Sequence, residues 1–566
     1  MSISTKNSVN SENDPLQQPA SSSNYQTIPE TTTPKSLPPD REERRPLLSP
    51  DDPSVSPLNV RNVRICRFIL GAIINVSLVW LVLLLISDFV SIPGFDNRGR
   101  GFIEIDLILL SLFANASTLC FFTIPSKLER SLDMAIAGLV TFDLLIMLLY
   151  RRFLHDRGGL GFATMLWLVA SLSFGAVSDY LVEEAKNHEE IRLTGRVESR
   201  KTVYEFFAVA TRVTLRLITF VLVLLLSLNF WFQAYDFKTK PWGKLVPVGD
   251  SQLELHLACY GDVYSNKSFT PEELMFGDVS ISSSKDEQPI ILIDGGQFVS
   301  SEVASEWVEE LFHLDKVQRY CVYDHPGTAF SNSFPSPVSL GIVADLLYEA
   351  LSKEKIYGPF VLVGYDIGGL YSRIFASRHA SQVHSMVLVE AWSQSLLKPN
   401  PFANDREKNG KTKLEDLHKT TGIRRMNAKT GLYFWWKGIY APFSLKRLRR
   451  FLVHRHGPED RIFGKDITVN DKFWRFKLQE QISSSLISYQ EVTNSLLETN
   501  GIPIAVASSD VMIKKSVNWG RWQRELTKIS SKPIEWVITK GNHRPWDDPN
   551  GRKQLQDLLL RVIDEE

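Results

Sequence analysis

Asp366 stands in the stretch Phe360-Val-Leu-Val-Gly364-Tyr-Asp366-Ile-Gly368-Gly369, where an apolar strand runs into a turn bracketed by glycines. Small residues on both sides of a carboxylate let the backbone bend sharply without a side-chain clash and present the acid at the bend. A carboxylate is ionised near neutral pH, so it needs no base to become a nucleophile. Attack on a simple ester would give an anhydride, which is a poor route. Displacement at an sp³ carbon that bears a leaving group gives a covalent alkyl ester instead. Asp366 either attacks in that way or takes no part in chemistry.

The elements around it define how such a turn is held. From Lys244 onward, short β-rich runs alternate with helical stretches, the pattern of a parallel sheet covered on both faces. Leu245-Val-Pro-Val and Leu253-Glu-Leu-His-Leu-Ala, joined by Gly249-Asp-Ser, read as an opening hairpin. Strands follow at 289–294, 319–323, the run into Asp366, 384–390, 502–510 and 534–539, eight in all. Between Trp392 and Asn500 the strand pattern stops and the chain becomes helical, basic and aromatic. It carries Tyr433-Phe-Trp-Trp436 and a cluster running from Lys446 and Arg447 to Arg455 and His456. Aromatic anchors beside a basic helix suit the headgroup region of a bilayer. An ordinary cap with a solvated basic face is the plain alternative.

Taken together, residues 244–566 resemble the α/β-hydrolase superfamily, because several motifs stand in that superfamily's order. Asp294-Gly295-Gly296-Gln297 occupies the place of its His-Gly loop, and Tyr323-Asp-His-Pro-Gly327 is similar to its Tyr-Asp-x-Pro-Gly turn. Gly541-Asn-His543 is similar to the loop presenting its catalytic histidine. The resemblance implies an eight-stranded, mostly parallel sheet with a helical cap at about 393–500. It makes Asp366 the residue of the nucleophile elbow, where serine usually stands. His543 is then the base that activates water against the ester, and backbone N–H groups of Ile367 and of Gly296 or Gln297 form the oxyanion hole. The elbow itself resembles those of epoxide hydrolases and haloalkane dehalogenases. Their pattern puts Glu390, at the end of the sixth strand, first as the acid orienting His543, with Asp510 after the seventh strand as the alternative. Both subfamilies commonly carry Trp after the nucleophile, and here Ile367 stands there, which argues against halide chemistry. Epoxide opening uses a proton donor, commonly cap tyrosines. Tyr433, Tyr440 and Tyr489 are the candidates, each also readable as a buried structural tyrosine.

The first 243 residues differ in kind. Residues 1–60 are rich in Ser, Thr, Pro, Asn and Gln and read as a disordered tail. Within it, Glu43, Leu47 and Leu48 form an acidic dileucine pattern of the type read by sorting adaptors. Residues 61–236 hold five apolar runs, the clearest from Phe68 to Ser87, twenty residues without a charge and the length needed to cross a bilayer. The third run contains Asp133 and Asp143. Asp143 could neutralise Arg212 and Arg216, one helical turn apart, or these groups could snorkel to the headgroups. With the N-terminus in the cytosol, ten flanking Lys and Arg lie inside and eight outside, and five spans put residues after 236 on the lumenal side. Cys259 and Cys321 could then form a disulfide, or remain two buried thiols. Asn266-Lys-Ser268 is a glycosylation sequon near them.

The even balance of 64 basic and 64 acidic residues gives no footprint for nucleic acid, and no cofactor or metal motif is present in the sequence. The expected protein is a membrane-integral α/β-hydrolase acting on a hydrophobic or lipid-derived small molecule, in contact with membrane lipids. The alternative is an inactive domain of that fold serving as a binding or scaffolding module. A vacuolar, lysosomal or other endomembrane location is expected, with a mitochondrial membrane left open.

Overall fold

In a computed structural model of the chain, the described residues are Leu48, Asp52, 55–197, 202–249, 253–264, 288–398 and 417–564. Glu43 and Leu47 of the dileucine pattern, the Asn266 sequon and the tip of the opening hairpin lie outside them. Five helices come first: α1 (Arg61–Ile86), α2 (Ile103–Cys120), α3 (Lys127–Leu149), α4 (Arg151–Thr194) and α5 (Val203–Asp236). Each is long and apolar enough to cross a membrane. Phe68, Val79, Leu149 and Phe206 are exposed on the outside of this bundle, while Leu107, Val140, Leu168 and Val223 pack inside. That is the arrangement expected of helices whose outer solvent is itself apolar.

The charges inside the bundle are paired differently from the expectation. Arg212 contacts Glu129 and, at 2.9 Å, Asp179; Arg216 contacts Glu129 at 3.0 Å and Asp133 at 2.8 Å. Both arginines are fully buried, so neither snorkels. Asp143 accepts from the Ser227 hydroxyl at 2.5 Å and Trp231 Nε1 at 3.0 Å. The reason is axial distance. At about 1.5 Å per residue, Asp143 lies roughly 15 Å farther along α3 than Asp133, beyond the reach of Arg216.

The sheet that follows has strands β1 (Lys244–Val248), β2 (Leu253–Tyr260), β3 (Ile290–Asp294), β4 (Tyr320–Tyr323), β5 (Phe360–Tyr365), β6 (Val383–Val389), β7 (Ile504–Ser509) and β8 (Pro533–Thr539). Their order is β1-β2-β4-β3-β5-β6-β7-β8, with the β1–β2 and β2–β4 pairs antiparallel and every other pair parallel. The central strands are Val-, Ile- and Leu-rich and buried on both faces, as a helix-covered parallel sheet requires. Helices α6 (Ser301–His313), α7 (Leu340–Lys353) and α8 (Gly368–Arg378) supply cover between strands. Cys259 and Cys321 face each other in the β2–β4 register and are joined as a disulfide.

Between β6 and β7 lies the cap, including α9 (Ala428–Tyr440), α10 (Leu445–His454), α11 (Asp471–Ser483) and α12 (Tyr489–Glu498). It is anchored to one end of the bundle. Phe434, Phe473 and Trp474 share a core with Leu84, Phe102, Ile105 and Leu160. Arg475 pairs with Asp88 at 3.2 Å and Asp96 at 3.1 Å, Arg461 pairs with Asp236 at 2.5 Å, and the Phe102 N–H donates to Asp471 at 2.9 Å. After β7 and β8 come α13 (Val517–Leu526) and the last helix, α14 (Pro549–Ile563).

Candidate active site

Asp366 sits at the β5–α8 turn with φ 56°, a left-handed conformation that a non-glycine residue adopts only when the surroundings hold it there. Two glycines make the turn possible by close approach. A Cβ on Gly364 would meet the Gly369 backbone at 2.5 Å, and one on Gly368 would collide with the backbone of Asp294 and Gly295. The turn is tied to the next strand by Asp366 N–H donating to Val389 O at 3.2 Å and Trp392 N–H donating to Asp366 O at 2.9 Å.

The Asp366 carboxylate is 5% exposed, and its two oxygens have different surroundings. Oδ2 accepts from the Gln297 N–H at 2.8 Å. Oδ1 lies 3.3 Å from His543 Nε2, and neither atom of that pair is in a well-formed hydrogen bond. His543 Nδ1 is 2.9 Å from Glu390 Oε2. Glu390 is fully buried, at φ 49°, and its Oε1 accepts from the Ser509 N–H at 2.6 Å while Oε2 also accepts from Trp519 Nε1 at 3.1 Å. Burial pushes the Glu390 carboxyl up, opposed by His543 and by these two donors. Burial acts on His543 in the downward sense, but the carboxylates of Asp366 and Glu390 outweigh it and hold the imidazole up at about 10. The imidazole thus lies between the two acids, with Asp366 at its Nε2 and Glu390 at its Nδ1.

Three expected residues are thus brought together, and others are not. Asp510 is held by Lys514 at 3.1 Å and by Lys540, at the start of the β8 loop, at 3.4 Å, and does not reach His543, whose Nδ1 is taken by Glu390. The Gly296 N–H donates to Val299 O at 2.9 Å and is unavailable as an oxyanion donor, which leaves Gln297 from that loop. The Ile367 N–H does not bond the carboxylate, although it stands at the start of α8 beside it. Tyr433 packs on Trp474 beneath Arg424, Tyr440 is 40% exposed, and the Tyr489 ring lies under Lys398. None of the three hydroxyls bonds Asp366 or His543, since α9 and α12 turn them to other parts of the cap.

Several supporting residues carried no signal in the sequence. Trp519 comes from α13, which no motif marks, and reaches Glu390 only through the packing of that helix on the sheet. Tyr365 sits beneath His543, with ring centroids 5.2 Å apart, and is wedged against Trp546 at 4.6 Å. The loop that carries Gln297 is fixed from behind by Asp294, whose Oδ1 accepts from Tyr323 Oη and pairs with His325 Nε2, each at 2.7 Å. An aspartate thus fills the place expected of a histidine, and His325 from the neighbouring turn partners it. No cluster of three or more His, Cys, Asp or Glu side chains suited to a metal ion occurs among the described residues.

The sheet order, the elbow and the cap define an α/β-hydrolase-fold domain, here carried on a bundle of apolar helices. Residues 288–484 match a family model described as alpha/beta hydrolase fold, and residues 12–259 match one described as a region of unknown function (DUF2417). The second match includes β1 and β2, so its boundary falls inside the sheet. An uncharacterized vacuolar membrane protein of Saccharomyces cerevisiae (strain YJM789) is 32% identical over 569 residues, covering 88% of this chain and 87% of that protein. An uncharacterized protein of Schizosaccharomyces pombe (strain 972 / ATCC 24843) is 24% identical over 521 residues, covering 86% of this chain and 89% of that one. Among solved structures, an esterase from Exiguobacterium antarcticum aligns with a TM-score of 0.38 and 12% identity, over 57% of this chain and 100% of its own. The chain belongs to the family of α/β-hydrolase-fold membrane proteins that includes the Saccharomyces vacuolar membrane protein. The expected endomembrane location agrees with that relative's name and with the five apolar helices.

Proposed function

We propose that the protein is a membrane-integral hydrolase that opens a hydrophobic, electrophilic substrate, an epoxide or a comparable lipid-derived compound, through a covalent ester on Asp366. The observation that carries this reading is the unequal treatment of the two Asp366 oxygens. Gln297 holds Oδ2 at 2.8 Å, and Oδ1 faces His543 without a formed hydrogen bond. Oδ1 attacks the sp³ carbon, the carbon–oxygen bond of the ring breaks, and the ester forms. The alkoxide takes the His543 proton. Esterification removes the Asp366 charge, one of the two that hold that proton, so His543 gives it up readily and is left neutral. It then draws a proton from water attacking the ester carbonyl. Negative charge develops on Oδ2, already within reach of the Gln297 N–H. Collapse breaks the bond from the carbonyl carbon to Oδ1, the departing alkoxide takes the proton left on the added oxygen, and the alcohol leaves with His543 protonated and Asp366 ionised again.

The hydrophobic substrate class is supported by the site's attachment to the bundle, since the cap shares a core with the helix ends. A lumenal domain on a vacuolar membrane also suits the Cys259–Cys321 disulfide, which persists in oxidising compartments. The dileucine pattern ending at Leu48 fits delivery to such a membrane by a cytosolic adaptor.

The test is turnover of an epoxide panel by the full chain in detergent micelles and heavy-oxygen water. Multiple turnovers place the label in the peptide carrying Asp366. His543→Gln accumulates a mass adduct on that peptide, and Asp366→Asn gives neither adduct nor product. Absence of both label and adduct across the panel would favour the non-catalytic binding module.

A further inference from the structure

A cavity in the cap has a one-sided charge. Its lining includes Arg424, Lys437, Lys446 and Arg447, together with Tyr433 and Tyr440, and no carboxylate among the described residues. Tyr433, Lys437 and Tyr440 project from one face of α9, spaced by four and three residues, so a single helix delivers two hydroxyls and an ammonium to one wall. Opposite them, Lys446 and Arg447 begin α10. Lys446 Nζ donates to the Thr468 hydroxyl at 2.9 Å, a neutral partner, and Arg424 lies 4.0 Å over the Tyr433 ring, another neutral one. Arg447 is 2% exposed, donates to Asn470 Oδ1 at 2.6 Å, and keeps its buried Nε–H without a partner. Burial lowers the Lys446 ammonium to about 8, and repulsion from Arg450 and Lys437 adds to it. A buried guanidinium N–H left unbonded and cations that repel one another both lose their cost when an anion enters.

The surroundings fix where that anion comes from. Trp436 and Leu432 on α9, and Leu445, Phe451, Leu452 and Val453 on α10, are exposed apolar side chains beside the cationic cavity. Phe451 stacks edge-on against Phe232 of α5 at 5.3 Å, Arg447 reaches Asn229 O of the same helix at 3.5 Å, and Gly438 packs so closely on Phe102 that any Cβ there would collide with its ring. These contacts hold the cavity level with the ends of the apolar helices, the depth at which a bilayer carries its phosphates. We propose that this cavity binds the phosphate group of an anionic membrane lipid, with the exposed apolar residues of α9 and α10 lying against its acyl chains. The cations and hydroxyls are the donors that phosphate oxygens accept from. The exposed apolar face is the one that a free anion would leave in water. Phe298, next to Gln297, also lines the cavity, and lipid binding there does not require the chemistry at Asp366.

Native mass spectrometry of the full chain released from nanodiscs of phosphatidylcholine with a minor fraction of phosphatidic acid tests this. Phosphatidic acid is expected as an enriched adduct on the wild type. Lys437→Gln/Lys446→Gln lowers that enrichment by about tenfold or more, the loss expected for removing two charge-assisted contacts. Lys437→Arg/Lys446→Arg keeps it, which separates lost charge from lost packing. Equal retention of the two lipids, or wild-type retention by the glutamine variant, overturns the proposal. Displacement of phosphatidic acid by an equal concentration of inorganic phosphate overturns the assignment to a lipid.

Discussion

His543 is where the reading of the site is most exposed to test, because two carboxylates hold its proton against the effect of burial. Its folded value of about 10 lies above the ordinary 6.5. The bound proton therefore stabilises the fold fully below pH 6.5, and that contribution fades as pH rises through 10. Glu390→Gln keeps the shape of the side chain while removing one of the two charges. Thermal melts across this range are expected to show the fade moving to lower pH in the variant, with Asp366 alone left to hold the proton. The same change leaves the imidazole less well oriented, so single-turnover measurement should find ester hydrolysis slowed by about 10²- to 10⁴-fold while ester formation falls less. An unchanged melt profile together with unchanged hydrolysis would show that Glu390 neither charges nor positions His543. Asp366, Glu390 and His543 were legible because each stands in a short stretch of covalent pattern at a strand end. Trp519 was not, because it reaches Glu390 only through packing that no local pattern records, and Tyr365, although inside the elbow stretch, gave no sign that its ring would lie against His543.

At the scale of elements, the antiparallel edge is the part of the sheet held covalently. Cys259 and Cys321 are register partners on β2 and β4, and their bond closes a loop whose ends are 62 positions apart in sequence. Removing a cross-link of this span by Cys259→Ser/Cys321→Ser is expected to cost about 2–4 kcal/mol, largely by restoring freedom to the unfolded chain. The midpoint of chemical unfolding for the full chain, followed by tryptophan fluorescence, should fall accordingly, and addition of reductant should lower the wild type to the same value. Coincident wild-type and variant curves would mean that the edge is held by packing alone. Strands were read well from sequence because their apolar runs are bounded by polar and glycine turns. Helix ends were read less well. The fourth apolar run of the bundle, residues 160–178, is a stretch free of charged residues, and it is only the middle of α4: the helix starts at Arg151, kinks at Gly158 and continues to Thr194. Its last turns carry Glu183, Lys186 and Glu190, which look like loop residues, yet Lys186 pairs with Glu205 of α5 and keeps the helix going.

For the whole molecule, the bundle and the hydrolase-fold domain form a joined unit whose contact is ionic as well as apolar. Arg475, 2% exposed, lies on α11 of the cap and reaches both Asp88 and Asp96 in the segment between α1 and α2, where Arg100 also pairs with the two acids. Two arginines and two carboxylates balance at that junction. Taking away one arginine leaves a buried acid short of its partner, a change that typically costs about 3–5 kcal/mol, whereas replacing a whole buried group by apolar residues can be nearly neutral. Arg475→Ala is therefore expected to loosen the cap from the bundle. In the wild type, calorimetry of the detergent-solubilised full chain should show a single main transition. In the variant, a lower transition should separate from that of the bundle, and proteolysis within the cap should accelerate. Arg475→Lys, which keeps the charge but not the two-pronged geometry, should fall between them. A single unshifted transition in Arg475→Ala would mean that the shared core around Phe102, Phe434 and Trp474 carries the attachment alone. The two outcomes also bear on access to Asp366, because Phe473 and Trp474, beside Arg475 in the cap, pack on Phe298, the residue after Gln297: a loosened cap should raise KM for a hydrophobic substrate more than it lowers kcat, whereas an attachment carried by the apolar core would leave both unchanged.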